Sequence, residues 1–302
     1  MTTLSSVLIK TIVVATDLSQ TADVAVEQAA ALARRCGASL WILHVFNDGF
    51  WASIKGIYDA ERWSGNEPAL SARNRLSQQA REVADRHGIV VTGETRTGRA
   101  AAEIARFLTE HRADLLVVGE HGEDWIGDSV IGGTALKVLE QANMPVLLVR
   151  RPASTDFSTV IVATDFSDNA KCATQLAFDW FPSSSLYVTH AYFVPFEGRM
   201  RVAGATADDI DRYRNDEQAL AETRMKRLRE SLDIPEMTRA QWVNLRGHPA
   251  SVLFELSERH AADLIVIGKH GGTVIEERLL GSVTQNVLYH ARSNVLLVPC
   301  NV

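Results

Sequence analysis

The chain has 302 residues, 46% of them hydrophobic and 23% charged, with a formal net charge of −6. That length allows two domains of ordinary size or one large one, and the composition is that of a globular chain able to bury a core. The acidic balance argues against bulk nucleic acid as the main partner, because phosphate backbones want a basic footprint. No apolar run approaches the roughly 20 residues of a membrane helix, so no membrane partner is expected.

Cys36, Cys172 and Cys300 are scattered, with no Cys-x-x-Cys pair. They read as three isolated thiols of a reducing compartment, with no zinc site. No basic segment followed by an apolar one opens the chain. No signal peptide is therefore expected, and the cytoplasm is the expected location.

The first predicted element is a β-branched strand ending at Asp17. Ser19 then caps an alanine-rich helix that runs to about Arg35 and stops at Gly37. Ser39 to Phe46 is a second strand. A long connection, Asn47 to Asn66, holds Phe50, Trp51, Tyr58 and Trp63, aromatics that either form a lid or interface or pack back on their own domain. Pro68 to His87 is helical, with Gly88 as its stop. Ile89 to Arg96 is a third strand and Arg99 to His111 a third helix. Leu115 to Val118 is a fourth strand, followed by a glycine-rich loop. Thr134 to Gln141 is a fourth helix, and Pro145 to Arg150 a fifth strand.

The chain then repeats itself. Ile12-Val13-Val14-Ala15-Thr16-Asp17-Leu18-Ser19 returns as Val160-Ile161-Val162-Ala163-Thr164-Asp165-Phe166-Ser167. Ala113-Asp114-Leu115-Leu116-Val117-Val118-Gly119 returns as Ala262-Asp263-Leu264-Ile265-Val266-Ile267-Gly268. The two copies stay nearly collinear, which makes this a duplicated domain and not a short-period solenoid. Domain 1 is placed at residues 1–151 and domain 2 at 156–302, joined by a polar linker over Arg150 to Thr155.

Strands that alternate with helices and are apolar on both faces predict an α/β fold. The expected architecture is two tandem doubly wound parallel sheets of five strands, each in the order 3-2-1-4-5 and flanked by helices. In that order the ends of strands 1 and 4 face one crevice, where such sheets bind ligands. Asp17 and Asp165 end the first strands, and the glycine loops end the fourth. The second loop reads Gly268-Lys269-His270-Gly271, then nine residues, then Gly281-Ser282-Val283-Thr284. Glycines let backbone come close and reach positive φ, and free N–H groups at a helix start favour an anion. No Gly-Lys-Ser/Thr closes the loop, so it is not a Walker loop.

The spacing Gly-x2-Gly-x9-Gly-Ser/Thr, the strand-1 Asp and the closing Pro-Val-Leu-Leu-Val strand resemble the universal stress protein family, as a tandem member. The resemblance covers nearly the whole chain. It implies a nucleotide-binding α/β fold, with ATP bound in one branch and not in another. It also implies domain pairing through the fifth strands, here as an intrachain pseudo-dimer. By resemblance the ATP-contacting positions are Asp165, Ala191, Gly268, Gly271, Gly281, Ser282, Val283 and Thr284. The weaker counterparts in the first half are Asp17, Val45, Gly119, Gly122, Gly132, Gly133 and Thr134.

The halves differ. Gly133 replaces the family's Ser/Thr, Ala135 replaces the last hydroxyl, and Thr134 is displaced by one. Lys269 of the second loop is Glu120 in the first, and Gly272 and Thr273 become Glu123 and Asp124. Those acids are expected to oppose a triphosphate unless they face away or bind Mg²⁺. His44, His190, His121 and His270 read as hydrogen-bonded imidazoles in preference to metal ligands. Arg99 and His248 either reach a phosphate or cap a turn. The segment Arg224 to Glu230 reads as a solvated helix face.

The expected function is a cytoplasmic stress-response protein that binds ATP, with or without Mg²⁺, mainly in the C-terminal domain, as a nucleotide-dependent sensor or adaptor. A homodimer and a further protein partner are expected beside it. No positioned general base or arginine finger stands out, so at most slow ATP hydrolysis is expected. The alternatives are a nucleotide-free dimeric interaction scaffold and a metabolic enzyme of the same architecture.

Overall fold

The computed structural model describes residues 9–47, 68–120, 131–152, 157–194, 197–234, 238–271 and 280–300. Phe50, Trp51, Tyr58, Trp63, His121, Gly122, Glu123, Asp124, Gly272 and Thr273 lie outside them. The chain divides into two compact units, Met1–Thr155 and Asp156–Val302.

Unit 1 runs β1 (Thr11–Thr16), α1 (Gln20–Cys36), β2 (Ser39–Phe46), α2 (Pro68–His87), β3 (Val91–Thr97), α3 (Ala100–Glu110), β4 (Leu115–Gly119), α4 (Gly133–Gln141) and β5 (Val146–Val149). Its strands pair in the order β3-β2-β1-β4-β5, and every pairing among them is parallel. This is the expected doubly wound order. Ile12, Val13, Val14, Leu116 and Val117 have no exposed surface, so the central strands are covered on both faces. Each such side chain contributes about 1.5–3 kcal/mol by leaving water. The edge strand β3 carries Glu94 and Arg96 and is only half-buried.

The helix ends follow the expected signals. The Ser19 hydroxyl accepts the Ala22 N–H, and Gly37 closes α1 in the left-handed region at φ 66°. Gly88, at φ 64°, does the same for α2. Observed ends depart from the expected ones by a residue or two, as frayed ends do.

Unit 2 runs β6 (Thr159–Ala163), α5 (Asp168–Trp180), β7 (Ser185–Tyr192), α6 (Glu197–Val202), α7 (Ala207–Glu230), β8 (Arg239–Arg246), α8 (Pro249–Arg259), β9 (Leu264–Gly268), α9 (Ser282–His290) and β10 (Asn294–Val298). Its strands pair in parallel in the order β8-β7-β6-β9-β10, the same winding. Even local backbone repeats: Leu18 and Phe166 share φ near 67–68°, and Arg112 and Ala261 share φ near 47–48°. Asp114 and Asp263 each accept a backbone N–H from the start of the neighbouring first strand, a carboxylate staple repeated in both units.

Two features were not legible in the repeat. Helix α7 begins with a capping box, in which Thr206 and Asp209 accept each other's backbone N–H groups. The segment Arg224 to Glu230 is its last stretch, exposed except for Met225 and Leu228. Glu197 on α6 gathers Arg201, Arg214 and Arg246, joining α6 to α7 and β8. The hydrogen bond from Arg214 holds the Glu197 carboxyl below its ordinary value.

One expectation is corrected. Cys172 and Cys300 are not isolated thiols; they form a disulfide across 128 residues of chain, and Cys36 alone is free. No described helix is long and apolar enough to cross a membrane.

Candidate functional site

The site in unit 2 starts from a strained turn. Strand β6 ends at Ala163, and Phe166 takes φ 68°, a left-handed conformation uncommon for a bulky side chain. This turn places Asp165 just outside the strand. Its Oδ1 accepts the Ser167 N–H at 3.0 Å and the Ser167 hydroxyl at 2.5 Å. Ser167 in turn caps α5 by accepting the Ala170 N–H. One carboxylate oxygen therefore shapes the turn. The other faces the glycine loop: a Cβ built on Gly271 would lie 2.8 Å from Oδ2.

The glycines serve close approach. Gly281 has φ −60° and Gly268 is a strand residue, so of the two uses expected of these glycines it is close approach, and not positive φ, that they serve. A Cβ on Gly268 would stand 3.1 Å from the Asn169 carbonyl carbon, and one on Gly281 would stand 3.3 Å from the Gly271 nitrogen. The loop closes through the Gly281 N–H, which donates to the Lys269 carbonyl at 3.1 Å.

Helix α9 starts here without a side-chain cap, unlike α1, α5 and α7, whose N-caps accept backbone N–H groups. Its first N–H groups have no intrahelical acceptor. Ser282 is exposed, whereas Thr284 is buried. The Thr284 hydroxyl donates to the Gly268 carbonyl at 2.9 Å. Its proton is thus committed to the protein.

These elements enclose a cavity of about 180 Å³. Asp165, Ala191, Gly268, Gly271, Gly281, Ser282, Val283 and Thr284 all line it. Eight residues chosen from motif positions scattered over more than a hundred residues of chain thus meet around one space. Sequence reasoning missed the apolar wall, Ala163, Ala170, Leu253 and Ile267, and also Thr164, Thr189 and Pro249. Apolar residues at strand ends and in the first two turns of a helix were the available signal. His248 caps α8 without a side-chain bond, and it is its neighbour Pro249 that reaches the cavity.

Two histidines line the same cavity. His190 Nδ1 lies 2.9 Å from the Thr164 carbonyl oxygen and donates to it. Burial pushes its pKa down, with the Thr164 hydrogen bond opposing. A neutral ring with Nδ1 protonated leaves Nε2 as an acceptor. His270 Nδ1 is buried and has no hydrogen-bond partner.

Unit 1 keeps the frame and loses the detail. Asp17 Oδ1 accepts from the Ser19 N–H and hydroxyl, and His44 Nδ1 lies 2.9 Å from the Thr16 carbonyl, matching unit 2. Val45 follows on β2 and Gly119 ends β4. The Gly132 N–H donates to the Glu120 carbonyl, and α4 starts at Gly133 uncapped, with Thr134 exposed. Ala135, however, holds the place of Thr284 and has no hydroxyl to return to the strand.

Of the first loop's acids only Glu120 falls within the described residues, and it has a cationic partner. Glu120 is held at 2.7 Å by Arg150, whose side chain is 4% exposed. Glu120 is therefore neutralised, and Arg150 is part of the packed unit and not a linker residue. Burial lowers the Arg150 pKa, with the Glu120 charge opposing.

The family model described as the universal stress protein family matches this chain twice, over residues 8–150 and 156–299. A universal stress protein of Mycolicibacterium smegmatis is 28% identical over 297 residues, covering 95% of this chain and 96% of the relative. One from Mycobacterium tuberculosis is 23% identical over 300 residues, covering 95% and 94%. Among solved structures, a universal stress protein from Archaeoglobus fulgidus aligns with a TM-score of 0.65 at 17% identity, covering 96% of this chain and 98% of that one. That likeness supports the fold. Two family matches on two units of the same winding lead to one conclusion: this chain belongs to the universal stress protein family, as a tandem member with two copies of its domain.

Proposed function

We propose that unit 2 binds ATP in the cavity between β6, β7, β9 and α9, and that the protein acts as a nucleotide-dependent sensor or adaptor in a stress response. The observation that carries this is the loop held shut by Thr284 beneath an uncapped helix start. Glycines stand where side chains would fill the space, and the exposed Ser282 hydroxyl sits at the first turn of α9. Backbone N–H groups in that arrangement suit a polyanion.

The parts divide by chemistry. The apolar wall of Ala163, Leu253 and Ile267 suits a base, and the Ala191 backbone offers it hydrogen bonds. Asp165 suits ribose hydroxyls, which donate to carboxylate oxygen. The loop from Gly268 to Gly271, the N–H groups of α9, Ser282 and the unpartnered His270 suit the phosphates. Mg²⁺ would enter with the triphosphate, which supplies oxygen ligands of its own. Turnover, if any, is slow.

Unit 1 is read as a weak or repurposed site, because Ala135 cannot anchor its loop. Homodimer formation, a further protein partner and a cytoplasmic location belong to the same reading. Mass spectrometry of ligand released from gently purified protein tests it. The expected result is ATP at about one per chain, with a thermal shift on adding Mg-ATP. Protein free of nucleotide and unshifted by Mg-ATP would instead favour a nucleotide-free scaffold.

A further inference from the structure

The one disulfide among the described residues sits directly behind the glycine loop of unit 2. Cys172 lies on α5, and Cys300 lies two residues past the end of β10. Their Cα atoms are 5.8 Å apart. The chain next to Cys300 touches the loop twice. Val298 pairs with Gly268 in the sheet, and the Lys269 N–H donates to the Val298 carbonyl at 2.9 Å. Cys300 is tied a second time to α5, since its N–H donates to Asn169 Oδ1 at 3.1 Å. Asn169 is the residue whose backbone backs Gly268, and the next residue, Ala170, lines the cavity. Covalent bond, hydrogen bond and strand pairing thus close a ring around the first residues of the loop.

Three features separate this bond from a purely structural staple. Both cysteines are half-buried and not sealed in the core, which leaves an approach for a small thiol or disulfide. Unit 2 has an extensive apolar core of its own, so it lacks the need for a cross-link that marks small disulfide scaffolds. The counterparts in unit 1 are Val24 and Arg151, so the pair occurs only where the loop keeps its Thr.

We propose that Cys172 and Cys300 are a reversible redox site, exchanging with low-molecular-weight disulfides, whose oxidised form orders the glycine loop and tightens nucleotide binding in unit 2. The tightening rests on the reading of the cavity as a nucleotide site; the ordering of the loop does not. In the forward step the thiolate of one cysteine attacks a sulfur of glutathione disulfide and expels one glutathione thiolate. The thiolate of the other cysteine then attacks the protein sulfur of the mixed disulfide and expels the second. Two protein thiols are oxidised, one glutathione disulfide is reduced to two glutathiones, and the two cysteine protons end on the departing thiolates. Reduction reverses each step. It leaves the Asn169 hydrogen bond and the strand pairing as the remaining ties between Cys300 and the loop.

The test holds the full chain at defined ratios of reduced to oxidised glutathione. Alkylation and mass spectrometry give the fraction cross-linked, calorimetry gives the ATP affinity, and amide exchange reports residues 268–271 and 282–284. The expected result is a reversible titration in which the oxidised form binds ATP about three- to tenfold more tightly and protects those amides. C172S and C300S should each show the reduced-state affinity at every ratio, while C36S follows the parent chain. Failure of the pair to oxidise overturns the proposal, as does oxidation that changes neither affinity nor exchange. Redox-dependent exchange without ATP binding in either form supports control of the loop and counts against the nucleotide reading instead.

Discussion

The Thr284 hydroxyl donates to the Gly268 carbonyl at 2.9 Å, joining the start of α9 to the end of β9 across 16 residues of chain. The bond is buried, and it fixes the two sides of the glycine loop against each other. Thr284→Ala leaves that carbonyl without its partner and converts the loop to the chemistry of Ala135. The expected cost is about 1–3 kcal/mol, felt as weaker ATP binding and a lower melting temperature for unit 2. Calorimetry and thermal melts of the two proteins check it.

Asp165 holds its turn with one oxygen and faces the loop with the other, so its two roles separate by substitution. Asp165→Asn keeps an acceptor for Ser167 and removes the charge, and the fold should be nearly unaffected. Asp165→Ala removes the acceptor too, and should destabilise the turn and the α5 cap by about 1 kcal/mol. Both should weaken ATP binding. Equal stability of the two variants would show that the Ser167 hydrogen bonds contribute little.

The Glu120–Arg150 pair tests the packing of unit 1. With its side chain 4% exposed, Arg150 has no ready access to water once its carboxylate is gone. Glu120→Ala should cost up to about 3 kcal/mol, since a buried guanidinium loses its carboxylate partner. Glu120→Ala combined with Arg150→Met should recover most of it. Urea unfolding measures both.

His190 gives a pH signature. Burial holds its folded pKa below the ordinary 6.5, so the unfolded chain takes up a proton first as the solution is acidified. Its contribution to stability is complete above pH 6.5 and is lost as pH falls from there through the lower folded value. Melting temperature should therefore drop on acidification over that window. His190→Asn, which can still donate to the Thr164 carbonyl, should flatten the drop. An unchanged slope would assign the acid sensitivity to other groups.

Much of this architecture was legible in the amino-acid sequence, for local reasons. Runs such as Val160-Ile161-Val162 are apolar on both faces only if a strand is covered twice, and Ser19, Gly37 and Gly88 end their helices through bonds and angles within a few residues. The glycine spacing marked the site because close backbone approach excludes side chains wherever it occurs. What escaped depends on distant partners. Glu120 looked like a free acid because Arg150 is 30 residues away. Cys172 and Cys300 looked isolated because their spacing is 128 residues. The Thr284 bond to the Gly268 carbonyl spans 16 residues, and only the folded loop brings the two together.

The central claim is that unit 2 carries the intact nucleotide site and unit 1 does not. Gly281 decides it, because a Cβ there meets the Gly271 nitrogen at 3.3 Å and the Thr284 hydroxyl at 3.6 Å, and a branched side chain would force the loop open. ATP bound per chain should be measured by equilibrium dialysis for the parent protein, Gly281→Val and Gly132→Val, with circular dichroism confirming that each is folded. The account predicts about one, near zero and about one, respectively. Full binding in folded Gly281→Val, or loss of binding in Gly132→Val, would contradict it.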